Sequence, residues 1–108
     1  TFGAWYKSVG SGMGASLNTA SALNAYILAD RASWLNFGNK SDLKLLFSGN
    51  PELINQYAFL PISSDKHPHV RADASQVFEN WLTSPRAENL INGHRINGEA
   101  LFVFNASK

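Results

Sequence analysis

The chain has 108 residues, of which 44% are hydrophobic and 16% are charged, and its formal net charge is +1. This length allows one small domain or part of a larger one, and the composition excludes a disordered chain and a coiled coil. The nearly neutral charge argues against a nucleic-acid partner, the lack of cysteine excludes disulfides and thiolate metal sites, and no apolar run is long enough to span a bilayer.

The amino-terminal segment, Thr1–Tyr6, contains no basic region followed by an apolar core. We therefore expect no signal peptide within this chain. An exported protein would have to have lost its leader, or the chain would have to be an internal piece.

The first predicted helix follows a glycine-rich loop. Leu17, Ala20 and either Leu23 or Asn24 lie on one face at helical spacing, which predicts a helix over residues 13–23. Ser11 or Gly12 is expected to cap this helix.

Three short apolar runs are predicted to be β-strands, the first of them buried. They are Ala25–Ala29, Leu43–Phe47 and Tyr57–Ile62. Asp30 follows the first run and is expected to cap a short helical turn. Pro61 confines the third run to an edge or to the end of a strand.

The second half contains the strongest amphipathic pattern in the chain. Its helical spacing is formed by Ala74, Val77, Phe78, Trp81 and Leu82. Ser84 suits the N-cap of a further helix and Pro85 its first turn, and Asn92-Gly93 is expected to close that helix with a left-handed residue. Residues 102–104 are expected to form a short strand or a packing tail. Strands that alternate with helices predict an α/β fold.

Most aromatic side chains are expected to lie in the hydrophobic core. These are Trp34, Phe37, Phe47, Phe59, Phe78 and Trp81. Tyr26 and Tyr57 each begin an apolar run, a position that also allows a hydroxyl group to face a cleft.

The loop over residues 10–14 is the first candidate for a binding site. Glycine lets a backbone approach a ligand, and the helix that follows offers unpaired N–H groups and the positive end of its dipole. The simpler interpretation is a tight turn into a helix that binds nothing. A third interpretation is a dinucleotide fingerprint, because Gly10-x-Gly12-x-x-Ala15 is followed by Asp30 at the distance at which an acid holds a ribose.

The remaining polar clusters point to no specific chemistry. His67 and His69 lie two residues apart without a flanking carboxylate pair, so they make a poor metal site and are expected in a solvated loop. No G-x-S-x-G elbow marks a nucleophilic serine. The sequence therefore predicts no catalytic residue, no metal site and no cofactor.

Four stretches of the chain carry a family resemblance. They are Trp5-Tyr6-x-x-x-Gly10-x-Gly12-Met13-Gly14-x-x-Leu17-Asn18-x-Ala20, Ala25-Tyr26-x-Leu28-x-Asp30-Arg31-x-x-Trp34-Leu35, Gly49-Asn50-Pro51-x-Leu53-x-Asn55-x-Tyr57 and Ala74-x-x-x-Phe78-x-x-Trp81-Leu82-Thr83-Ser84-Pro85. These stretches resemble the tungstate-binding proteins of ABC-type importers. The resemblance extends from about Trp5 to Phe104.

The resemblance implies the C-terminal part of a two-lobed α/β fold, the type 2 periplasmic-binding-protein fold. Residues 1–57 would form the second half of the second lobe, and residues 58–108 would return into the first lobe. Such proteins hold an oxyanion in the cleft between the lobes. The residues expected to bind the ligand are Ser11, Gly12, Met13, Gly14 and Tyr57.

This chain departs from the family pattern in ways that bear on binding. The family's Thr/Ser-rich loop and its central Ser-Arg-x-Asp-x-Ser-Gly-Thr segment are missing, and Gln56 stands where the family usually has proline. We therefore expect the isolated chain to bind tungstate weakly or not at all. Phe59 and Phe78 are expected to face the missing part and to promote self-association.

These features predict a solute-binding component of an ABC importer and not an enzyme. Its partners would be tungstate or molybdate and the membrane permease, without nucleic acid, and its location would be periplasmic or otherwise extracytoplasmic. The alternatives left open are a binder of another oxyanion such as phosphate or sulfate, a Rossmann-type nucleotide-binding enzyme fragment, and a scaffold that binds no small molecule.

Overall fold

The computed structural model describes residues 2–106, and the chain divides into two compact units between Ile54 and Asn55. The first unit contains helix α1 (Met13–Leu23), the short helix α2 (Arg31–Asn36) and one 3-10 turn (Pro51–Leu53).

The second unit contains helix α3 (Ala72–Leu82), helix α4 (Pro85–Gly93) and a hairpin of strands β1 (Arg95–Ile96) and β2 (Glu99–Ala100). The mixture of helix and strand agrees with the predicted α/β class only in containing both kinds of element. The assignment of residues 1–57 and 58–108 to two lobes stays a prediction.

Helix α1 begins and ends where the sequence predicts. Gly12 is its N-cap in an extended conformation, and no side chain caps the first turn. Asn24 ends the helix in the left-handed region with φ 50°, and its backbone N–H donates to the Ala20 carbonyl. Asparagine tolerates that conformation better than most residues, so it closes this helix without glycine.

The buried face of α1 packs against α2 and the loop that follows it. Leu17 is fully buried, and Ala20 and Ser21 are buried beside it. The Ser21 hydroxyl donates to the Asn39 carbonyl at 3.0 Å, and the Asn39 amide donates to Asn18 Oδ1 at 3.1 Å. The helix spacing therefore predicted Leu17 and Ala20 correctly, but it was wrong for the end of the face, because Leu23 and Asn24 are exposed. Polar contacts hold the loop against the buried face.

The caps of α2 and α4 form as the sequence predicts. Asp30 Oδ1 accepts a hydrogen bond from the Ser33 N–H at 2.7 Å. Ser84 Oγ accepts from the Ala87 N–H at 3.3 Å, with Pro85 at the first position of α4. Each cap satisfies a backbone donor that the first helical turn leaves unpaired.

The predicted left-handed end of α4 is wrong. The helix runs through Gly93, and the next residue, His94, is extended with φ −73°. The two residues with positive φ lie beyond the helix, at Asn97 (φ 51°) and Gly98 (φ 82°), and they form the turn between β1 and β2. Two central residues with positive φ match the twist of a tight hairpin, which explains why an Asn-Gly pair occurs there.

The three predicted strands do not form within the described residues 2–106. The backbone groups of residues 26–29, 44–47 and 58–62 make no backbone–backbone hydrogen bond within this part of the chain. A strand exists only where a neighbouring strand accepts its hydrogen bonds, and the two-stranded hairpin is the one sheet described. The prediction failed because a short apolar run indicates strand tendency but not whether a partner strand is present.

The predicted aromatic core is also wrong. Phe47, Phe78 and Trp81 are exposed, whereas Trp34, Phe37 and Phe59 are half-buried. The rings contact one another instead: Phe59 meets Phe78 edge to face, and Phe78 stacks on Trp81. Large aromatic side chains are thus present without enough surrounding chain to bury them. The expected self-association through Phe59 and Phe78 stays a prediction.

None of the helices in the described part of the chain is both long and apolar enough to cross a membrane.

The packing of α1 gives a first prediction. Leu17→Ala should lower the free energy of unfolding of the first unit by about 2–5 kcal/mol, because it leaves a cavity at a fully buried position. The measurement is amide hydrogen exchange along α1. Leu23→Ala is the matched control, because Leu23 lies on the same helix with its side chain exposed, and its effect should stay within about 0.5 kcal/mol. Equal effects of the two changes would contradict the described packing.

Candidate functional site

The glycine loop leads directly into α1 and leaves its first backbone donors unpaired. Within the described residues, the N–H groups of Met13, Gly14 and Ala15 donate no hydrogen bond. Helices commonly begin this way, because the first turn has no preceding carbonyls to accept. These donors and the exposed Ser11 hydroxyl lie on a surface open to solvent, which is the arrangement expected of a loop that offers neutral donors to an anion.

Only one position of this loop has a backbone conformation that favours glycine. Gly10 has φ +63°, a conformation that favours glycine, whereas Gly12 and Gly14 have ordinary dihedral angles. A Cβ atom built on Gly12 or Gly14 would meet no atom within 4 Å. The described contacts therefore give no packing reason for glycine at these two positions.

A shallow concavity of about 330 Å³ lies beside the loop within the first unit. It is lined by Gly14, Ala32, Ser33, Asn36 and Phe37. The start of α1 and the body of α2 thus border the same hollow. Its lining contains no charged side chain.

Tyr57 belongs to the second unit, whereas Ser11, Gly12, Met13 and Gly14 belong to the first. Its side chain is 66% exposed, with the ring edge against Phe102 at a centroid distance of 5.8 Å. The exposed ring shows that the core interpretation of Tyr57 is wrong, and its role in a cleft stays a prediction. The structure brings the four loop residues together by chain adjacency alone.

A pair of amide side chains holds the backbone beside Tyr57. Gln56 Nε2 donates to Asn105 Oδ1 at 3.2 Å, and Asn105 Nδ2 donates back to Gln56 Oε1 at 2.9 Å. Gln56 Nε2 also donates to the Tyr57 carbonyl at 3.0 Å. The sequence marked Gln56 only as a departure from the family pattern and gave no sign of Asn105 as its partner, because the two residues are far apart in the chain.

Asp30 is engaged in capping α2, which bears on the dinucleotide interpretation. Its Oδ1 accepts from the Ser33 N–H, whereas the fingerprint needs a carboxylate that accepts from a ribose hydroxyl. The fingerprint also needs a strand that leads into the glycine loop, and the described residues 6–9 form no strand. Both features of the structure disfavour a nucleotide site here.

The histidine loop shows no ligand geometry. The rings of His67 and His69 lie nearly perpendicular with centroids 6.0 Å apart, and both residues are exposed. Among residues 2–106, no group of three or more His, Cys, Asp or Glu side chains is placed to hold a metal ion.

Comparison with known proteins identifies relatives that agree with the sequence resemblance. The chain is 35% identical to the tungstate-binding protein TupA of Peptoclostridium acidaminophilum, over 98% of this chain and 38% of that protein. It is 33% identical to a putative ABC transporter anion-binding protein of Haloferax volcanii, over 96% of this chain and 32% of that protein. It is 27% identical to the tungstate-binding protein TupA of Campylobacter jejuni, over 94% of this chain and 39% of that protein.

These similarities confirm the resemblance to tungstate-binding and anion-binding proteins of ABC transporters. The chain spans only about a third to two fifths of the length of these relatives. That share fits a chain that corresponds to one portion of such a protein. No family model and no solved structure matches the chain.

The capping role of Asp30 gives a second prediction. Asp30→Ala should destabilise α2 by about 1 kcal/mol, because the Ser33 N–H loses its acceptor, whereas Asp30→Asn keeps an acceptor oxygen and most of the stability. Thermal unfolding with and without NAD or NADP is the measurement, and neither nucleotide should change the melting temperature. A rise on adding nucleotide that Asp30→Ala abolishes would support the enzyme alternative instead.

Proposed function

We propose that this chain is the C-terminal part of a solute-binding protein that captures tungstate or molybdate and delivers it to the membrane permease of an ABC importer. The observation that carries the proposal is similarity over nearly the whole chain to two tungstate-binding proteins and one anion-binding protein. The protein binds and releases its ligand and needs neither a catalytic residue nor a cofactor. It acts in the periplasm or another extracytoplasmic space, where it meets the permease.

The glycine loop supports an oxyanion ligand on physical grounds. A tetrahedral dianion can be held by neutral N–H and O–H donors at a helix start without paired cations. The unpaired N–H groups of Met13 and Gly14 and the Ser11 hydroxyl are donors of this type. Discrimination by size follows from how rigidly such donors are spaced, and the left-handed Gly10 helps to fix the loop.

The two-lobed architecture completes the proposal. Residues 1–57 form the second half of the second lobe, and residues 58–108 return into the first lobe. Tyr57 lies at the crossing, where its exposed ring lines the cleft. The reciprocal Gln56–Asn105 hydrogen bonds support this arrangement, because they fix the backbone beside Tyr57 where the family has proline.

One alternative has a specific observation in its favour. The Haloferax volcanii relative is named only as an anion-binding protein, so phosphate or sulfate is the second candidate ligand. A Rossmann-type enzyme fragment has no such support, because Asp30 is occupied as a cap.

A tungstate titration is the third prediction and tests the function directly. A hybrid protein, in which this chain replaces the matching portion of the Peptoclostridium acidaminophilum protein, should bind tungstate. At a free ligand concentration a hundredfold above Kd, binding adds about 2.7 kcal/mol to the free energy of unfolding. The isolated chain should show no micromolar binding by calorimetry, because most donors lie outside it.

The comparison of ligands decides between the proposals. A hybrid protein that responds to phosphate or sulfate but not to tungstate or molybdate would favour the second candidate. Indifference to all four oxyanions would reject the proposed function, and micromolar affinity of the isolated chain would contradict the expected shortage of donors.

The open space at Gly14 gives a fourth prediction. Gly14→Ala should slightly stabilise α1, because alanine favours a helix by about 0.5–1 kcal/mol over glycine. The same change should weaken tungstate binding to the hybrid protein at least about tenfold, because the new methyl group crowds an anion at the helix start. Gly93→Ala is the matched control, because it also adds an uncrowded methyl group to a helix, α4. Equal affinities of the two variants would exclude the loop from the site.

A further inference from the structure

Asparagine precedes glycine at two places in this chain, Asn92-Gly93 and Asn97-Gly98. In such a pair, the backbone nitrogen of the glycine can reach the side-chain carbonyl carbon of the asparagine by closing a five-membered ring, which is a favourable intramolecular attack. Glycine has no Cβ atom to hinder the approach or to restrict the backbone. The two pairs are therefore chemically alike, and their surroundings in the fold decide which of them reacts.

The pair in the hairpin turn leaves its reacting groups free. Asn97 and Gly98 are exposed and form the whole connection between β1 and β2. Within the described residues, neither the Asn97 side chain nor the Gly98 N–H makes a hydrogen bond. The Arg95 guanidinium donates to the Gly98 carbonyl at 3.0 Å, a contact that does not occupy the nitrogen of the same residue.

The pair at the end of α4 is equally exposed but is held in place. Asn92 and Gly93 are the last two residues of the helix, where the Gly93 N–H belongs to the helical hydrogen-bond ladder. Asn92 Oδ1 accepts from the Phe104 N–H at 2.8 Å, which ties the side chain to the segment after the hairpin. Attack at this pair requires the end of the helix to open, and local opening costs free energy.

We propose that Asn97 is a site of spontaneous covalent modification, at which the side-chain amide is lost through attack by the Gly98 nitrogen. The Gly98 nitrogen gives its proton to solvent base and forms a bond to Asn97 Cγ. The bond between Cγ and Nδ2 then breaks, and Nδ2 takes up a proton and leaves as ammonia. Water opens the resulting succinimide at one of its two carbonyl carbons, so the products are an aspartyl and an isoaspartyl residue. Water is the only co-reactant, and nothing is oxidised or reduced.

The modification changes both the charge and the geometry of the hairpin. Either product lowers the formal net charge of +1 by one. In the isoaspartyl product, the main chain runs through the former side-chain methylene, which lengthens a two-residue turn by one backbone atom. The pairing of Arg95 with Ala100 and of Ile96 with Glu99 depends on that turn length, so this product should lose the hairpin.

The effect of the modification extends beyond the turn. Strand β2 leads directly to Leu101, one of the few buried residues of the second unit. The aspartyl product should keep this arrangement, because aspartate tolerates positive φ better than most residues. The inference goes beyond the proposed function and is independent of the ligand, since it concerns the chemical ageing of the chain.

Peptide mapping by mass spectrometry tests this fifth prediction on the folded chain. Trypsin cleaves after Arg95 and so separates the two pairs into different peptides, in which fragment ions assign each modified position. During incubation at mildly alkaline pH, position 97 should gain about one dalton at least about tenfold faster than position 92, because α4 must open before its pair reacts. Chromatography should resolve an aspartyl and an isoaspartyl form of the peptide that contains Asn97.

Two controls separate the fold from the sequence. In guanidinium chloride, which removes the helix and the turn, the two pairs should react at similar rates. In the folded chain, Asn97→Gly keeps a residue that accepts positive φ and removes the amide. This change should abolish the reaction in the turn and leave both the rate at Asn92 and the hydrogen exchange of α4 unaltered.

The rates decide the proposal in either direction. Equal rates at the two pairs in the folded chain, or a faster reaction at Asn92, would overturn it. A preference for Asn97 that persists unchanged in guanidinium chloride would also overturn it, because the difference would then come from neighbouring residues and not from the fold. None of these outcomes depends on tungstate, so they leave the test of the proposed function separate.

Discussion

The apolar segments over residues 26–29, 44–47 and 58–62 make no backbone–backbone hydrogen bond within the described residues, and this is the constraint on which the rest of the structure depends. Helices satisfy most of their own hydrogen bonds, so α1, α3 and α4 form within the chain. The buried residues on these helices lie on α1 and α4. Strands require neighbours, and these segments have none in the described residues. Leu17 is the one large side chain fully buried there, and many large apolar side chains are exposed. Many of its apolar side chains are exposed, as expected of a chain that matches only one portion of its longer relatives.

Sequence analysis predicted the helices and their caps better than it predicted the strands and the core. The bounds of α1, the Asp30 cap and the Ser84-Pro85 start of α4 were predictable, because each depends on residues within one or two helical turns. The strands and the aromatic core were not, because both depend on contacts with residues distant in sequence, which local patterning does not show. The hairpin turn at Asn97-Gly98 carried a local signal that inspection assigned instead to the end of α4.

The candidate site was only partly predictable for a related reason. The glycine loop was visible as a motif, and the structure adds that Gly12 and Gly14 have no packing role of their own. The proposed function assigns these open glycines to oxyanion binding. The Gln56–Asn105 pair had no sequence signal, since two distant amide side chains become partners only through the fold.

The central claim is that this loop holds an oxyanion once the rest of the polypeptide is present. The most direct measurement is the exchange rate of the Met13 and Gly14 amides in the hybrid protein, with and without tungstate. The account predicts that tungstate slows exchange at these two amides, because they donate to its oxygens, and leaves the amides of α4 unchanged. Tungstate binding that raises the melting temperature without slowing exchange at Met13 and Gly14 would contradict it.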